Sequence, residues 1–300
     1  MANTKIIKKR IKTAENIAQI TKAMEMVSAS KMRRAQQQAL SSRPYSDSLR
    51  KILSSLLENA VNLDHPLMKK NESKNIAILI ISTDKGLCGG LNTNLFRFLK
   101  NFCEDFDSEN LKFLAIGKKG RDYLLKSGYE IIADFPQIKE NITFEDTLEV
   151  SHFLINAYLK NELGEFYICF SDFISTLSQK PKMVKILPVD LKDISKCLDL
   201  IKESEIKPEE KINKKEYLFE PNAKQISDWL MPYFVELEVY HYFLEAKAAE
   251  HSSRMVTMKN ASENANEIVS ELNLNYNKAR QNQITSQIAE IASAGMAMAD

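Results

Sequence analysis

Glycine and proline are missing from both ends of this 300-residue sequence. Neither occurs from Met1 to Arg43, and neither occurs from Tyr233 to Ala294. Seven of the eight glycines lie between Gly86 and Gly164. These two residues end helices most readily, so their absence predicts a long helix at each terminus. At 1.5 Å per residue the C-terminal stretch alone would be a rod of roughly 90 Å, far longer than a compact domain needs.

Other scarcities exclude whole classes of function. The four cysteines, Cys88, Cys103, Cys169 and Cys197, have no metal-ligand or redox spacing, and they read as reduced thiols. The four histidines, His65, His152, His241 and His251, are scattered, which argues against a metal site. No run of 18 apolar residues occurs, so no segment is expected to span a membrane. The start, MANTKIIKKRIK, is basic but has no apolar signal-peptide core, and helical periodicity begins almost at once, which sets aside a transit peptide. No GxSxG elbow and no nucleophile pattern is found, so no catalytic residue is assigned. The acidic pairs Glu104–Asp105 and Glu145–Asp146 read as solvated surface.

What is present is patterned. Ile7, Ile11, Ala14, Ala18, Thr21, Glu25, Ser28, Met32, Ala35 and Ala39 recur at alternating steps of four and three, the period of a coiled-coil seam. Most are small, which lets two backbones approach closely. Ile17, Ile20, Met24 and Val27 form a second apolar line beside the seam. Near the other end, Leu230, Tyr233, Leu237, Tyr240 and Leu244 keep the same spacing. After a shift, the pattern resumes through Ala248, Met255, Met258, Ala265, Val269, Leu272, Tyr276 and Ala279. Residues 1–43 carry a net charge of +8 and residues 222–300 a net −4, which favours pairing of the two rods. They are expected to pair antiparallel, with the longer C-terminal helix outrunning its partner. The exposed Ile284, Ile288 and Ile291 would then imply a surrounding protein.

The middle alternates. IAILII (76–81), KFLAIG (112–117), EIIADF (130–135), EFYICF (165–170) and KMVKILPV (182–189) read as strands. Helical patterns follow at NLFRFLKNFCEDF and FEDTLEVSHFLINAYLKNEL, which implies an α/β layer fold with a mainly parallel sheet. The predicted organisation is an N-terminal helix (1–58), a Rossmann-like α/β domain (74–190), a charged linker (191–221) and a C-terminal helix (222–300). The turn with Gly86, Gly89 and Gly90 follows a strand but lacks GxGxxG spacing and any following GKS or GKT. It reads as a tight turn packing a helix on the sheet, and no cofactor is expected.

Three stretches resemble the gamma subunit of F-type ATP synthases. They are IKTAENIAQITKAMEMVSASKMRRAQ (11–36), STDKGLCGGLNTNLF (82–96) and AEHSSRMVTMKNASENANEIVSELNLNYNKARQNQITSQIAEI (249–291). The likeness spans most of the chain but not 190–221 or the tail after Ile291. It implies a bacterial-type rotor shaft without a catalytic site of its own, working inside a ring of three alpha and three beta subunits. The α/β domain would be a foot on the epsilon subunit and the membrane c-ring. The chain would then be peripheral, on the cytoplasmic face of the inner membrane. The resemblance places Arg254, Gln281 and Thr285 against a catch loop of beta. It places Lys22, Met24, Lys31, Arg33 and Arg34 toward acidic levers of beta, and Ile284, Ile288 and Ile291 in an apolar bearing. Two rivals are a coiled-coil nucleic-acid arm and an α/β enzyme with helical docking arms. The first is weakened by the lack of any aromatic residue in 1–43. The second requires a nucleotide at the glycine-rich turn.

Overall fold

The computed structural model describes residues 2–59, 65–135, 142–190, 220 and 222–297. Helix α1 covers Ala2–Asn59. Strand β1 (Ile76–Ile81), helix α2 (Leu91–Cys103), strand β2 (Leu111–Ile116), helix α3 (Lys118–Lys126) and strand β3 (Ile131–Phe135) follow. Then come helix α4 (Glu145–Leu159), strand β4 (Glu165–Phe173), strand β5 (Gln179–Leu187) and helix α5 (Ala223–Ala297). The segment expected as a linker at 191–221 lies outside the described residues except for Glu220, and so does Cys197.

Both long helices run through a proline, Pro44 in α1 and Pro232 in α5. An internal proline removes one backbone hydrogen bond and usually kinks or breaks a helix. Buried neighbours, Leu49 and Leu53 after Pro44 and Leu230 and Met231 before Pro232, hold the chain across the lost bond. Tertiary packing therefore outweighs the local break.

By its contacts the chain divides into two compact units. One consists of residues 30–253, and the other of residues 1–29 with 254–300. The first is larger than the predicted 74–190, because parts of α1 and α5 belong to it.

In the 30–253 unit the five strands make one sheet in the order β3-β2-β1-β4-β5. β1 pairs in parallel with β2 and β4, and β2 pairs in parallel with β3. β5 runs antiparallel to β4. The connection at 174–178 is too short for a crossover, so only a hairpin is possible. β5 is an edge strand that carries Lys180, Pro181, Lys182 and Lys185.

All six residues of β1 are buried, as the unbroken apolar run requires. Its alternating side chains feed two cores. Ile76, Ile78 and Ile80 join Leu95, Leu99, Phe113, Leu124 and Cys169 beneath α2 and α3. Ala77, Leu79 and Ile81 join Leu154, Phe166, Phe170 and residues of both long helices. The α5 stripe at Leu230, Leu237 and Leu244, expected as a coiled-coil seam, lies in this second core together with Met231, Phe234, Val235, Val239 and Phe243. An apolar arc this wide exceeds a two-position seam, and such a helix packs on a sheet rather than on one partner helix.

Residues 1–29 and 254–300 pair antiparallel. The Ser262 hydroxyl donates to the Ala18 carbonyl at 3.3 Å, and Thr4 Oγ1 meets Gln283 Oε1 at 3.4 Å. Ile11, Ala14 and Ala18 are buried opposite a seam that includes Met258, Ser262 and Ala265. A serine hydroxyl reaches a partner's backbone carbonyl only where side chains between the helices are small, which is the role of Ala18. Beyond Gln283, α5 continues to Ala297.

Two positions give sharp tests of this packing. Gly117 holds a φ of +90°, and a Cβ there would lie 2.3 Å from the Ser82 carbonyl oxygen. Gly117→Ala should cost about 3 kcal/mol from the strained φ and the clash. Gly86→Ala, with nothing within 4 Å, should stay within about 0.5 kcal/mol. Chemical denaturation measures both.

His65 is buried, and its Nδ1 accepts the Leu67 N–H at 3.1 Å, which requires a neutral ring. Burial lowers its pKa, and Asp228, 3.9 Å from Nε2, opposes that shift. The unfolded chain takes up a proton near pH 6.5 that the folded chain refuses. The contribution of His65 is therefore complete above about pH 6.5 and is lost as pH falls below it. His65→Asn, whose side-chain oxygen can accept the same N–H, should lose less thermal stability between pH 7.5 and 5.5 than the parent.

Candidate partner-binding surfaces

The crevice at the carboxyl ends of the strands is where an open α/β sheet ordinarily takes a ligand. Here Ser82, Thr83 and Asp84 after β1, Gly117 after β2, and Ser171 of β4 line it. Phe243, Ala246, Lys247 and Glu250 of α5 lie across it, and the remaining cavity is about 20 Å³. That is room for roughly one water.

The backbone donors that would hold a phosphate at the start of α3 are also taken. Asp84 accepts the Lys118 N–H at 3.0 Å, and the Thr83 carbonyl accepts that of Lys119 at 3.1 Å. Ser82 Oγ accepts the Gly120 N–H at 2.7 Å. The Ser82 hydroxyl in turn donates to the carbonyls of Ile116 and Gly117. A helix N-terminus binds an anion only through N–H groups left open, and these three are occupied by the chain itself. The start of α3 therefore has no open donor among these three for a phosphate.

The glycine-rich turn has a different task from the one expected. Gly90 begins α2, but the close approach of a helix to the sheet is made at Gly120, where a Cβ would lie 2.7 Å from Ser82 Oγ. The turn itself is fastened to α5, because the Ser253 hydroxyl donates to the Cys88 carbonyl at 2.7 Å. The hairpin between β4 and β5 is fastened beside it, with Ser252 donating to the Thr176 carbonyl at 2.8 Å. Sequence reading missed both serines. Their signal was the small and polar interruption AEHSSR at 249–254, where the apolar stripe shifts.

Of the catch-loop residues, Gln281 and Thr285 are one turn apart and exposed. The Thr285 hydroxyl donates to the Gln281 carbonyl at 3.0 Å. Arg254 stands 27 positions earlier, about 40 Å along the helix, and is only 9% exposed. The structure thus joins the first two and separates Arg254 from them.

On α1, Lys22 is exposed, and its ammonium pairs with Glu25 at 3.0 Å, so the seam glutamate is neutralised within its own helix. An exposed pair of this kind contributes at most about 1 kcal/mol and is readily exchanged for another partner. Met24 and Lys31 are half-buried, and Arg33 and Arg34 are exposed. Ile17, Ile20 and Val27 of the second apolar line face outward. So do Ile284, Ile288 (63% exposed) and Ile291 (73%) near the end of α5.

The remaining candidates have structural partners. His152 meets Glu236 at 3.1 Å and His241 meets Glu245 at 3.0 Å. Asp146 accepts the Thr143 N–H at 2.9 Å at the start of α4. Cys88, Cys103 and Cys169 are buried free thiols, and burial pushes Cys103 up to about 11, away from reactivity. Among the described residues no group of His, Cys, Asp or Glu could hold a metal ion.

Comparison with known proteins adds a consistent picture. The protein-family model described as ATP synthase matches residues 3–298, which takes in both 190–221 and the tail. The ATP synthase gamma chain of Methylacidiphilum infernorum is 41% identical over 305 residues, covering 99% of this chain and 100% of that one. That of Desulfitobacterium hafniense is 35% identical over 298 residues, with 99% and 100% covered. Among solved structures, the rotor of the Euglena gracilis mitochondrial ATP synthase superposes with a TM-score of 0.63 at 19% identity, covering 94% of this chain and 99% of that one. The central stalk and c-ring of the Tetrahymena thermophila mitochondrial ATP synthase gives 0.58 at 23% identity, covering 81% and 99%. With the antiparallel helical pair, the α/β layer and full-length relatives in agreement, the chain belongs to the ATP synthase gamma-chain family.

Proposed function

We propose that this chain is the central rotor shaft of an ATP synthase, coupling rotation of a membrane c-ring to conformational change in catalytic beta subunits. The observation that carries this reading is the antiparallel pairing of α1 and α5. It is fixed by the Ser262–Ala18 and Thr4–Gln283 contacts, and α5 runs on past it with exposed isoleucines. A single helix ending in exposed apolar residues is stable only where another protein surrounds it.

Catalysis then belongs to the partners. The shaft acts by presenting different faces to otherwise identical subunits, because only differential interaction shifts a conformational equilibrium. The ring consists of three alpha and three beta subunits, and the α/β unit docks on epsilon and the c-ring. The complex lies peripherally at the cytoplasmic face of a bacterial inner membrane. In support, no described helix is long and apolar enough to cross a membrane.

Gln281 and Thr285 form the distal contact with a beta catch loop. Their exposed amide and hydroxyl suit carboxylate and carbonyl partners. Arg254, being mostly enclosed, contributes to that contact through the limited surface it leaves open. Lys22, Lys31, Arg33 and Arg34 face acidic levers of beta, with Met24 as an apolar contact among them. Ile284, Ile288 and Ile291 turn in an apolar bearing.

Two outcomes test this reading. Removing residues 291–300 should weaken retention of the shaft in the assembled ring, measured by co-purification, while epsilon binding persists. Loss of epsilon binding by an otherwise folded chain would contradict the assignment. Replacing Gln281 and Arg254 together by alanine should slow coupled ATP turnover by about tenfold, equivalent to about 1.4 kcal/mol of lost interaction. Unchanged turnover and coupling would mean that neither residue is a working contact.

A further inference from the structure

Residues 248–253 of α5 are all buried. Six consecutive residues at about 100° per step go more than once round a helix, so α5 is enclosed on every side at this level. Elsewhere in the 30–253 unit one side of α5 is more open, with Trp229 66% exposed.

The enclosed surface is smooth over one arc, the rest of the turn carrying the buried Glu250 and His251. Ala248, Ala249, Ser252 and Ser253 present almost no ridge for a neighbour to grip. Helices resist rotation about their own axis when ridges seat in grooves, and a surface of alanines and serines offers little of that resistance. Along that arc, directional bonds supply it.

Two such bonds are present, and they come from different directions. Ser252 and Ser253 are adjacent, so their side chains leave the axis about 100° apart. Ser252 donates to the Thr176 carbonyl in the β4–β5 hairpin, and Gln179 Nε2 donates to the Ser252 oxygen at 3.4 Å. Ser253 donates to the Cys88 carbonyl in the turn after β1. The two loops follow the carboxyl ends of neighbouring parallel strands, which pair in register at Ile80 and Cys169, and the hairpin stands farther out because β4 runs on to Phe173. Ser252 is fully buried, so water cannot replace its bond.

The turn that Ser253 holds is strained. Leu87 keeps a φ of 64°, a left-handed conformation unfavourable for leucine. Such conformations persist where the surroundings over-determine them, and they cluster where a fold does mechanical or chemical work.

We propose that Ser252 and Ser253 are an azimuthal lock, fixing the rotational setting of α5 against the sheet so that torque applied to the α/β layer enters the helix without slip. They act as positioning residues. The inference rests on the rotor-shaft reading.

The test uses the assembled complex with the catalytic ring tethered and a bead attached to the α/β layer. Angular fluctuation of the bead at a dwell reports torsional stiffness. S252A/S253A should raise the angular variance at least about twofold, because both directional bonds are lost. S151A is the control. It removes a buried hydroxyl that donates to the Thr147 carbonyl within α4, away from the α5 contacts, so it should leave the variance at the parent value. If the double variant fails to assemble, S252A and S253A are measured singly, and each should give an intermediate rise. Variance at the parent level in both singles, or in an assembled double variant, overturns the lock while leaving the shaft role standing. A parent chain that does not assemble with alpha and beta subunits sinks the shaft reading itself.

Discussion

Everything in the 30–253 unit depends on α5 lying across the carboxyl ends of the strands. Phe243 and Ala246 fill the place where a related fold would receive a ligand, and Lys247 and Glu250 close its rim. The consequence is an exchange of roles. A sheet that could have held a small molecule instead holds a helix, and the energy of that burial goes into rigidity. Each large apolar side chain fully buried there contributes about 1.5–3 kcal/mol. The hydroxyl network around Ser82 follows from the same choice, since the α3 donors are turned inward to the chain rather than outward to a phosphate.

The antiparallel pair obeys a different rule. Its seam of alanine, serine and threonine buries little area per residue, so it is held by proximity more than by hydrophobic mass. That suits a part whose outer surface must meet changing neighbours. A leucine-rich seam would add stability but would widen the pair, and the hydroxyl-to-backbone contact between Ser262 and Ala18 could not form. The outward line of Ile17, Ile20 and Val27 then remains as the apolar surface available to a partner.

The secondary structure was largely readable because its signals are local. The run Ile76–Ile81 and the breaker-free ends left little choice, and the small seam from Ile11 to Ala39 showed its period directly. Less readable were features decided at a distance. The antiparallel sense of β5 depends on the short 174–178 connection, and the use of Leu230–Leu244 against a sheet depends on which surface reaches it first. The glycines misdirected attention for a similar reason. Gly86, Gly89 and Gly90 are conspicuous in the sequence, yet the closest approaches are at Gly117 and Gly120, where the neighbour is Ser82. For the partner surfaces, the family resemblance suggested Arg254 as a contact. Its near-complete enclosure could not be seen without the fold.

The edge strand β5 bears on how such a chain survives before assembly. An exposed strand margin offers unpaired backbone groups to any similar chain, which is how sheets extend into aggregates. Pro181 removes a donor from that margin, and Lys180, Lys182 and Lys185 line it, the last two paired with Asp172 and Glu165 of β4. A newly made subunit that has yet to meet its partners therefore carries one hazardous border already blunted by its own proline and lysines.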